Sequence, residues 1–207
     1  MYKTEQEKFW AGEFGTEYIE RNKSTEILSA KVGMFAKMIS RIGTNGTIES
    51  IIEFGSNIGL NLLALSYLLP RVELSAIEIN PKACKELKKN LPDAELFNQS
   101  ILDFEVDYKR DLVLISGVLI HINPVELKHV YAKLYDCSQK YILVNEYYNP
   151  TPVEVEYRGH AGKLFKRDFA GEIMDMHPDL QLIDYGFWYH RDNVFPGSDT
   201  TWFLMQK

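Results

Sequence analysis

The segment Glu53-Phe54-Gly55-Ser56-Asn57-Ile58-Gly59 closes one short apolar run and opens an apolar helix, the kind of strand-to-helix turn at which an α/β chain grips a ligand. A dinucleotide fingerprint needs glycines two and five places after the first, and those places hold Asn57 and Leu60. A phosphate loop fails as well, because no Gly-Lys-Ser/Thr follows. What remains is Gly55 and Gly59, which would let the backbone approach a ligand closely, with Asn57 between them. Asparagine tolerates positive φ better than other residues that carry a side chain, so the turn survives the exchange. The same residues also read as a tight turn with no ligand.

Two further groups stand at the ends of apolar runs. In Ser75-Ala76-Ile77-Glu78-Ile79-Asn80-Pro81, the carboxylate of Glu78 could accept hydrogen bonds from both hydroxyls of a ribose; it could equally be a charge favoured at a helix amino terminus. In Ser116-Gly117-Val118-Leu119-Ile120-His121-Ile122-Asn123-Pro124, His121 is the best placed titratable group. An imidazole near its usual pKa can take a proton at neutral pH, and a histidine bonded at a helix start is the plainer alternative. Cys84 and Cys137 are too few for a disulfide framework or a cysteine zinc site, and no metal is expected.

The elements that must position these groups alternate. Short apolar runs at Ile48 to Phe54, Val72 to Ile79, Ala94 to Phe97, Asp111 to Ile115 and Tyr141 to Val144 predict strands. Helical stretches lie between them at about Ile58 to Leu69, Lys82 to Asn90 and Val125 to Tyr135. That order means a parallel sheet with right-handed crossovers. The run Asp111-Leu112-Val113-Leu114-Ile115 is apolar after its first residue, as a strand covered on both faces should be. After a helix near Asp168 to Met176, the runs Leu182 to Tyr189 and Thr200 to Met205 follow without a helix between, predicting an antiparallel pair at one edge. Ahead of the sheet, Thr4 to Arg41 has helical spacing; Ser24 would open its second helix and Gly43-Thr44-Asn45-Gly46 would end it.

The chain's 207 residues suit one domain with an appendage, divided at about residue 45, and its 45% hydrophobic and 25% charged content is that of an ordinary globular protein. Lysine and arginine number 23 against 29 aspartates and glutamates, a net charge of −6 that works against nucleic acid and anionic membranes as partners. No apolar run approaches the ~20 residues needed to cross a bilayer, the first twelve residues carry no signal core, and a reducing cytoplasm is the expected location. Subunit number is left open.

The turn E-x-G-x-x-x-G matches the glycine turn of class I S-adenosylmethionine-dependent methyltransferases, with Asn57 in place of the middle glycine of its commonest form. More specifically, the chain resembles the pseudaminic acid biosynthesis-associated methylases. The resemblance is carried by Phe9-Trp10-Ala11-Gly12-Glu13-Phe14-Gly15, by Gly117 to Pro124, and by Glu146-Tyr147-Tyr148-Asn149-Pro150-Thr151-Pro152. It continues in Tyr157-Arg158-Gly159-His160, Lys163 to Glu172 and Trp202-Phe203-Leu204. It implies a Rossmann-like class I methyltransferase fold, α/β and mostly parallel with one antiparallel edge strand, helices on both faces and an amino-terminal helical extension.

S-adenosyl-L-methionine is the implied cofactor. Glu53, Gly55, Ser56, Asn57 and Gly59 would meet it at the turn, and Glu78 and Ile79 at the ribose. Ser100 would substitute for the aspartate many such enzymes present to the adenine, beside Ile101; Ser116 and Gly117 would line the methionine portion. Residues 1–45 would form a lid, with Trp10, Tyr18 and Arg21 over the cofactor and Arg21 suited to its carboxylate. The implied reaction is methylation of a nonulosonic acid sugar or its glycan precursor; the resemblance leaves the acceptor atom open, and O-methylation is the expectation. A cofactor-binding partner without catalysis and a small-molecule N-methyltransferase are the alternatives.

The acceptor, an anionic sugar or nucleotide sugar, is expected along Tyr147 to Arg167. There Tyr157, Arg158, His160, Lys163, Lys166 and Arg167 gather cations and donors in an acidic protein, although the same residues read as a solvated basic loop. His121 is the first choice of base, with His160 and Glu146 next. Asn149-Pro150-Thr151-Pro152 shares only its first two places with the Asn-Pro-Pro-aromatic tetrad of DNA amino-methyltransferases and follows the wrong strand, so nucleic acid is not expected.

Overall fold

The structure is a computed structural model that describes residues 2–21, 25–42 and 47–207; the expected cap at Ser24 and the break at Gly43 to Gly46 lie outside the described residues. Three helices come first, α1 (Glu5–Ala11), α2 (Glu13–Glu20) and α3 (Thr25–Ile39). Then follow β1 (Ser50–Phe54), α4 (Leu60–Leu68), β2 (Glu73–Ile77), α5 (Pro81–Asn90), β3 (Glu95–Phe97), β4 (Arg110–Ser116), α6 (Leu127–Cys137) and β5 (Ser138–Glu146). The chain ends with β6 (Val153–Tyr157), β7 (His160–Lys166), α7 (Phe169–Met176), β8 (Gln181–Trp188) and β9 (Thr200–Gln206).

Seven strands form one sheet in the order β3-β2-β1-β4-β5-β9-β8. β1 to β5 are mutually parallel; β9 runs antiparallel between β5 and β8, so the antiparallel pairing expected from the last two apolar runs closes this side of the sheet. Successive crossovers step outward from β1 to β3 and then return to β4 on β1's other side. A crevice therefore opens at the carboxyl ends of β1 and β4, where the two directions part.

Strand periodicity divides the core in two. Leu112 and Leu114 of β4 face α3, α4 and α5, packing with Phe35, Met38, Leu62, Leu65 and Leu87. Val113 and Ile115 face α6 and α7, packing with Val130, Leu134, Phe169 and Ile173. Helix α3 thus belongs to the main helical layer, and the amino-terminal extension divides into two parts: α3 in the core, and α1 with α2 at the crevice. Thr4 opens α1 with a capping box, its hydroxyl accepting from the Glu7 amide while Glu7 accepts from the Thr4 amide.

Helices α1 and α2 meet at a sharp corner because of Gly15. A Cβ there would lie 1.9 Å from the Trp10 carbonyl oxygen. One element differs from the sequence expectation. The segment after β5, expected to meet the acceptor and with a solvated basic loop as the alternative, contains the hairpin β6–β7, with Arg158 and Gly159 at its tip at φ 52° and 83°. Two positive φ values are what a tight hairpin turn demands. Among the described residues no helix is long and apolar enough to cross a membrane.

Because Phe35 is fully buried in the layer shared with α4, Phe35→Ala should cost about 3–5 kcal/mol. Urea denaturation of the whole chain measures this; a loss under ~1 kcal/mol would place α3 outside the core.

Candidate functional site

The crevice holds a cavity of about 510 Å³, floored by the ends of β1, β2, β4 and β5 and walled by α1, α2, α3 and the hairpin tip. Its floor is set by the glycine turn. Gly55, at φ 77°, would bring a Cβ within 2.6 Å of Val118, and its amide and that of Ser56 donate to the Ile77 carbonyl. Asn57 adopts φ 49°, the left-handed conformation its residue type allows at this turn.

The Asn57 amide donates to Glu78 Oε2 at 2.7 Å, and the Asn80 amide donates to Oε1 at 2.7 Å. Glu78 is buried at the cavity wall, and burial raises its pKa while these amides oppose the rise. Each of its oxygens accepts one backbone N–H and keeps a second acceptor direction. Gly59, also expected to approach the cofactor, does not line the cavity. Its φ of 79° starts α4, and a Cβ would meet Leu87 at 2.9 Å, so its smallness serves the packing of α4 on α5.

Glu53 is likewise absent from the cavity lining. It is fully buried beneath the turn, where Oε1 accepts from Asn61 Nδ2 at 2.5 Å and burial raises its pKa. Ser56, Asn57, Ile79, Ser100, Ile101, Ser116 and Gly117 all line the cavity. The Ser100 hydroxyl already accepts from the Leu102 amide at 3.0 Å, and Asn145 Nδ2 donates to Ser116 Oγ at 2.9 Å. Gly117 lies at φ 66°, and a Cβ on it would meet nothing within 4 Å, so this position faces open cavity.

Trp10, Tyr18 and Arg21 also reach the cavity. The indole of Trp10 stands edge-on to Tyr18 and 4.6 Å from the His121 ring, and its Nε1 is buried without a partner. The Arg21 guanidinium lies over the rings of Phe14 and Tyr18.

The three candidate bases fare differently. His121 lines the cavity between Trp10 and Tyr157, and its Nδ1 donates to the Lys163 carbonyl at 2.6 Å, which leaves Nε2 as the acceptor. Burial pushes its pKa down to about 4, so the ring is neutral at physiological pH. Glu146 does not reach the cavity. Its Oε1 accepts from the Val118 and Leu119 amides, 2.9 Å each, and burial pushes its pKa up to about 7. Its carboxyl holds the 117–121 turn from behind. His160 is exposed on the hairpin, its ring against Phe9 and Phe14 and outside the cavity.

Of the expected acceptor-binding residues, Tyr147, Tyr157 and Arg158 line the cavity, with Arg158 exposed at its mouth. Lys163 contributes its carbonyl to His121, while its ammonium pairs with Glu5 at 3.4 Å. Arg167 lies outside, paired with Glu172 at 3.3 Å, and Glu172 also accepts from the Tyr131 hydroxyl. Both cations are therefore committed to neighbouring side chains.

Sequence reasoning missed Lys31, Asn61, Asn145, Trp188 and Thr200, all of which line the cavity. Asn145 Oδ1 and Thr200 Oγ1 are buried without partners, as are Asn57 Oδ1 and Glu7 Oε1. The cavity lining is rich in amide, hydroxyl and carboxyl side chains, which fits a ligand rich in hydroxyl and amino groups. The diol of an adenosine matches Glu78 in chemistry, and the apolar side chains of Ile79 and Ile101 suit its base.

No family model and no curated protein sequence matches the chain. Solved structures do, by shape. A SAM-dependent methyltransferase of Leishmania major superposes with a TM-score of 0.75 at 12% identity, over 98% of this chain and 81% of that one. The magnesium protoporphyrin IX methyltransferase of Synechocystis with bound SAH gives 0.70 at 11%, over 97% of each chain. The plantazolicin methyltransferase BpumL in complex with SAH gives 0.66 at 16%, over 98% and 93%. The fold is therefore the Rossmann-like fold of class I methyltransferases.

The Glu146 carboxyl holds its proton to about pH 7 when folded, against about 4.5 for an ordinary glutamate. Its contribution to stability is full below pH ~4.5 and is lost as pH rises through ~7. Glu146→Gln keeps an acceptor for Val118 and Leu119, so urea denaturation should show that this loss, on the order of 3 kcal/mol, is removed. Identical pH profiles for the variant and the parent would contradict the buried placement.

Proposed function

We propose that this protein is an S-adenosylmethionine-dependent methyltransferase whose acceptor is a small anionic sugar of the nonulosonic acid class, free or nucleotide-activated, methylated on oxygen. The observation that carries the cofactor reading is Glu78, whose two oxygens are fixed by the amides of Asn57 and Asn80 and still have acceptor capacity toward the cavity. Gly55 to Asn57 lie alongside, and Ser116 and Gly117 border the same space from β4. When bound, S-adenosylmethionine supplies an already activated methyl group on its sulfonium, so this chain's residues mainly align and exclude water. Helices α1 and α2 form the wall that excludes it, in the role of a lid.

The anionic acceptor is supported by Arg158. Its guanidinium stands at the mouth of the cavity beside Tyr157, and Tyr147 lies deeper. His121 is the proton acceptor for a hydroxyl substrate: with Nδ1–H held by the Lys163 carbonyl, Nε2 carries the free lone pair. Burial lowers its pKa to about 4, below the ordinary imidazole value, so Nε2 is free to accept at neutral pH but is a weak base that passes the proton on to solvent. Buried free thiols at Cys84 and Cys137 suit a reducing cytoplasm.

Incubation with methyl-labelled cofactor and a panel of nonulosonic acids, free and nucleotide-activated, followed by mass spectrometry, tests this reading. One sugar should gain a single methyl on oxygen. Glu78→Ala should weaken SAH binding at least ~100-fold, while His121→Ala should lower turnover ~10²–10⁴-fold with SAH affinity nearly unchanged. SAH binding without transfer to any acceptor would favour a cofactor-binding partner, and methyl gained on nitrogen would favour the amine reading.

A further inference from the structure

Helix α3 sends one cation into the cavity wall. Lys31 Nζ donates to Asn61 Oδ1 at 2.6 Å, and Asn61 Nδ2 donates in turn to Glu53 Oε1 at 2.5 Å. Glu53 is fully buried and its Oε2 has no partner. Asn61 is buried as well, so its amide is oriented by the carboxyl beneath it and presents its oxygen to Lys31. The ammonium also lies 5.8 Å from the centre of the Trp188 ring. Asn61 is its only hydrogen-bond partner among the described residues, which leaves donors unused on a group that can make three bonds.

We propose that Lys31 is a carboxylate-binding group of this cavity, held in place by the Asn61–Glu53 relay. This rests on the methyltransferase reading above. Lys31 is half-buried, and an ammonium with unused donors at the wall of a ligand cavity gains most from an anionic partner, because burial weakens its hydration. The relay also gives Glu53 a purpose that its place in the glycine turn does not: it acts on the ligand through Asn61 and Lys31, as a positioning residue. Arg21, by contrast, lies over the rings of Phe14 and Tyr18. Two ligands could bring the carboxylate, the amino-acid end of the cofactor or the acid group of the acceptor.

The test compares ligands that differ only in that group. In the first arm, titration calorimetry measures SAH against its decarboxylated analogue. In the second, with SAH present, it measures N-acetylneuraminic acid against its methyl ester. If the cofactor is the source, the whole chain should prefer SAH by about tenfold or more. Lys31→Met should bring that ratio close to one, Lys31→Arg should restore part of it, and Asn61→Leu should lower it without adding to the effect of Lys31→Met. If the acceptor is the source, the same collapse appears in the second arm only.

A merely structural lysine would change both members of a pair equally and leave the ratios intact. Ratios unmoved by Lys31→Met in both arms would overturn the proposal, and a first-arm ratio that collapses in Arg21→Met instead would assign the carboxylate to Arg21. SAH failing to bind the parent protein at all would instead refute the methyltransferase reading.

Discussion

The crevice exists because the sheet's connections part between β1 and β4. Every other feature of the site is placed by that parting. Crossovers that run outward through β2 and β3, then return to β4 and β5, leave the ends of two neighbouring strands uncovered by their own helices. The turn after β1 and the turn after β4 face each other there. Their closeness is measurable at Gly55, where any side chain would strike Val118. Glu78 comes from the next strand outward, and the amides of Asn57 and Asn80 fix it, so the turns after β1 and β2 share one carboxyl.

Much of this was legible from the residues alone. The four-residue apolar stretch of β4 matches a strand buried on both faces, and its two faces do meet different helical layers. The tolerance of asparagine for positive φ anticipated the conformation of Asn57. The hairpin β6–β7 is carried by Val153-Glu154-Val155-Glu156-Tyr157, an alternating run followed by Arg158-Gly159, a pattern without the unbroken apolar run that marks β4. Glu146 and Gly59 show a different limit. Both lie at the ends of elements that reach the crevice, and sequence position cannot tell a side chain that faces the cavity from one that supports the turn behind it.

Lys31 and Asn61 were illegible for a related reason. A lysine on an amphipathic helix ordinarily extends to solvent, and only the packing of α3 across α4 turns this one toward the crevice. Asn61 sits in the first turn of α4, four residues after Asn57, and its partner Glu53 precedes the turn. The three residues come together because the turn between β1 and α4 folds the chain back on itself, bringing Asn61 over Glu53, while a separate helix delivers the cation.

Asn80 ties the crevice to its cover. Its backbone amide donates to Glu78, its Oδ1 caps α5 by accepting from the Lys82 and Ala83 amides, and its Nδ2 donates to the carbonyls of Trp10 and Gly12. The helix cap, the carboxyl that faces the cavity and the corner between α1 and α2 therefore meet at one residue. On the far side, Gln6 Nε2 donates to the Gly162 carbonyl, and the rings of Phe9 and Phe14 rest on His160. The cover is thus held by hydrogen bonds, ring contacts and one small apolar cluster of Ile19, Ile58 and Ala83, whereas the sheet beneath it is held by two large buried apolar layers. The smaller apolar contact of the cover opens at lower free energy than the layers of the sheet. On the lid role proposed above, the wall formed by α1, α2 and the hairpin is the part that would yield to a ligand, while the strands that carry Glu78 and the glycine turn would stay fixed.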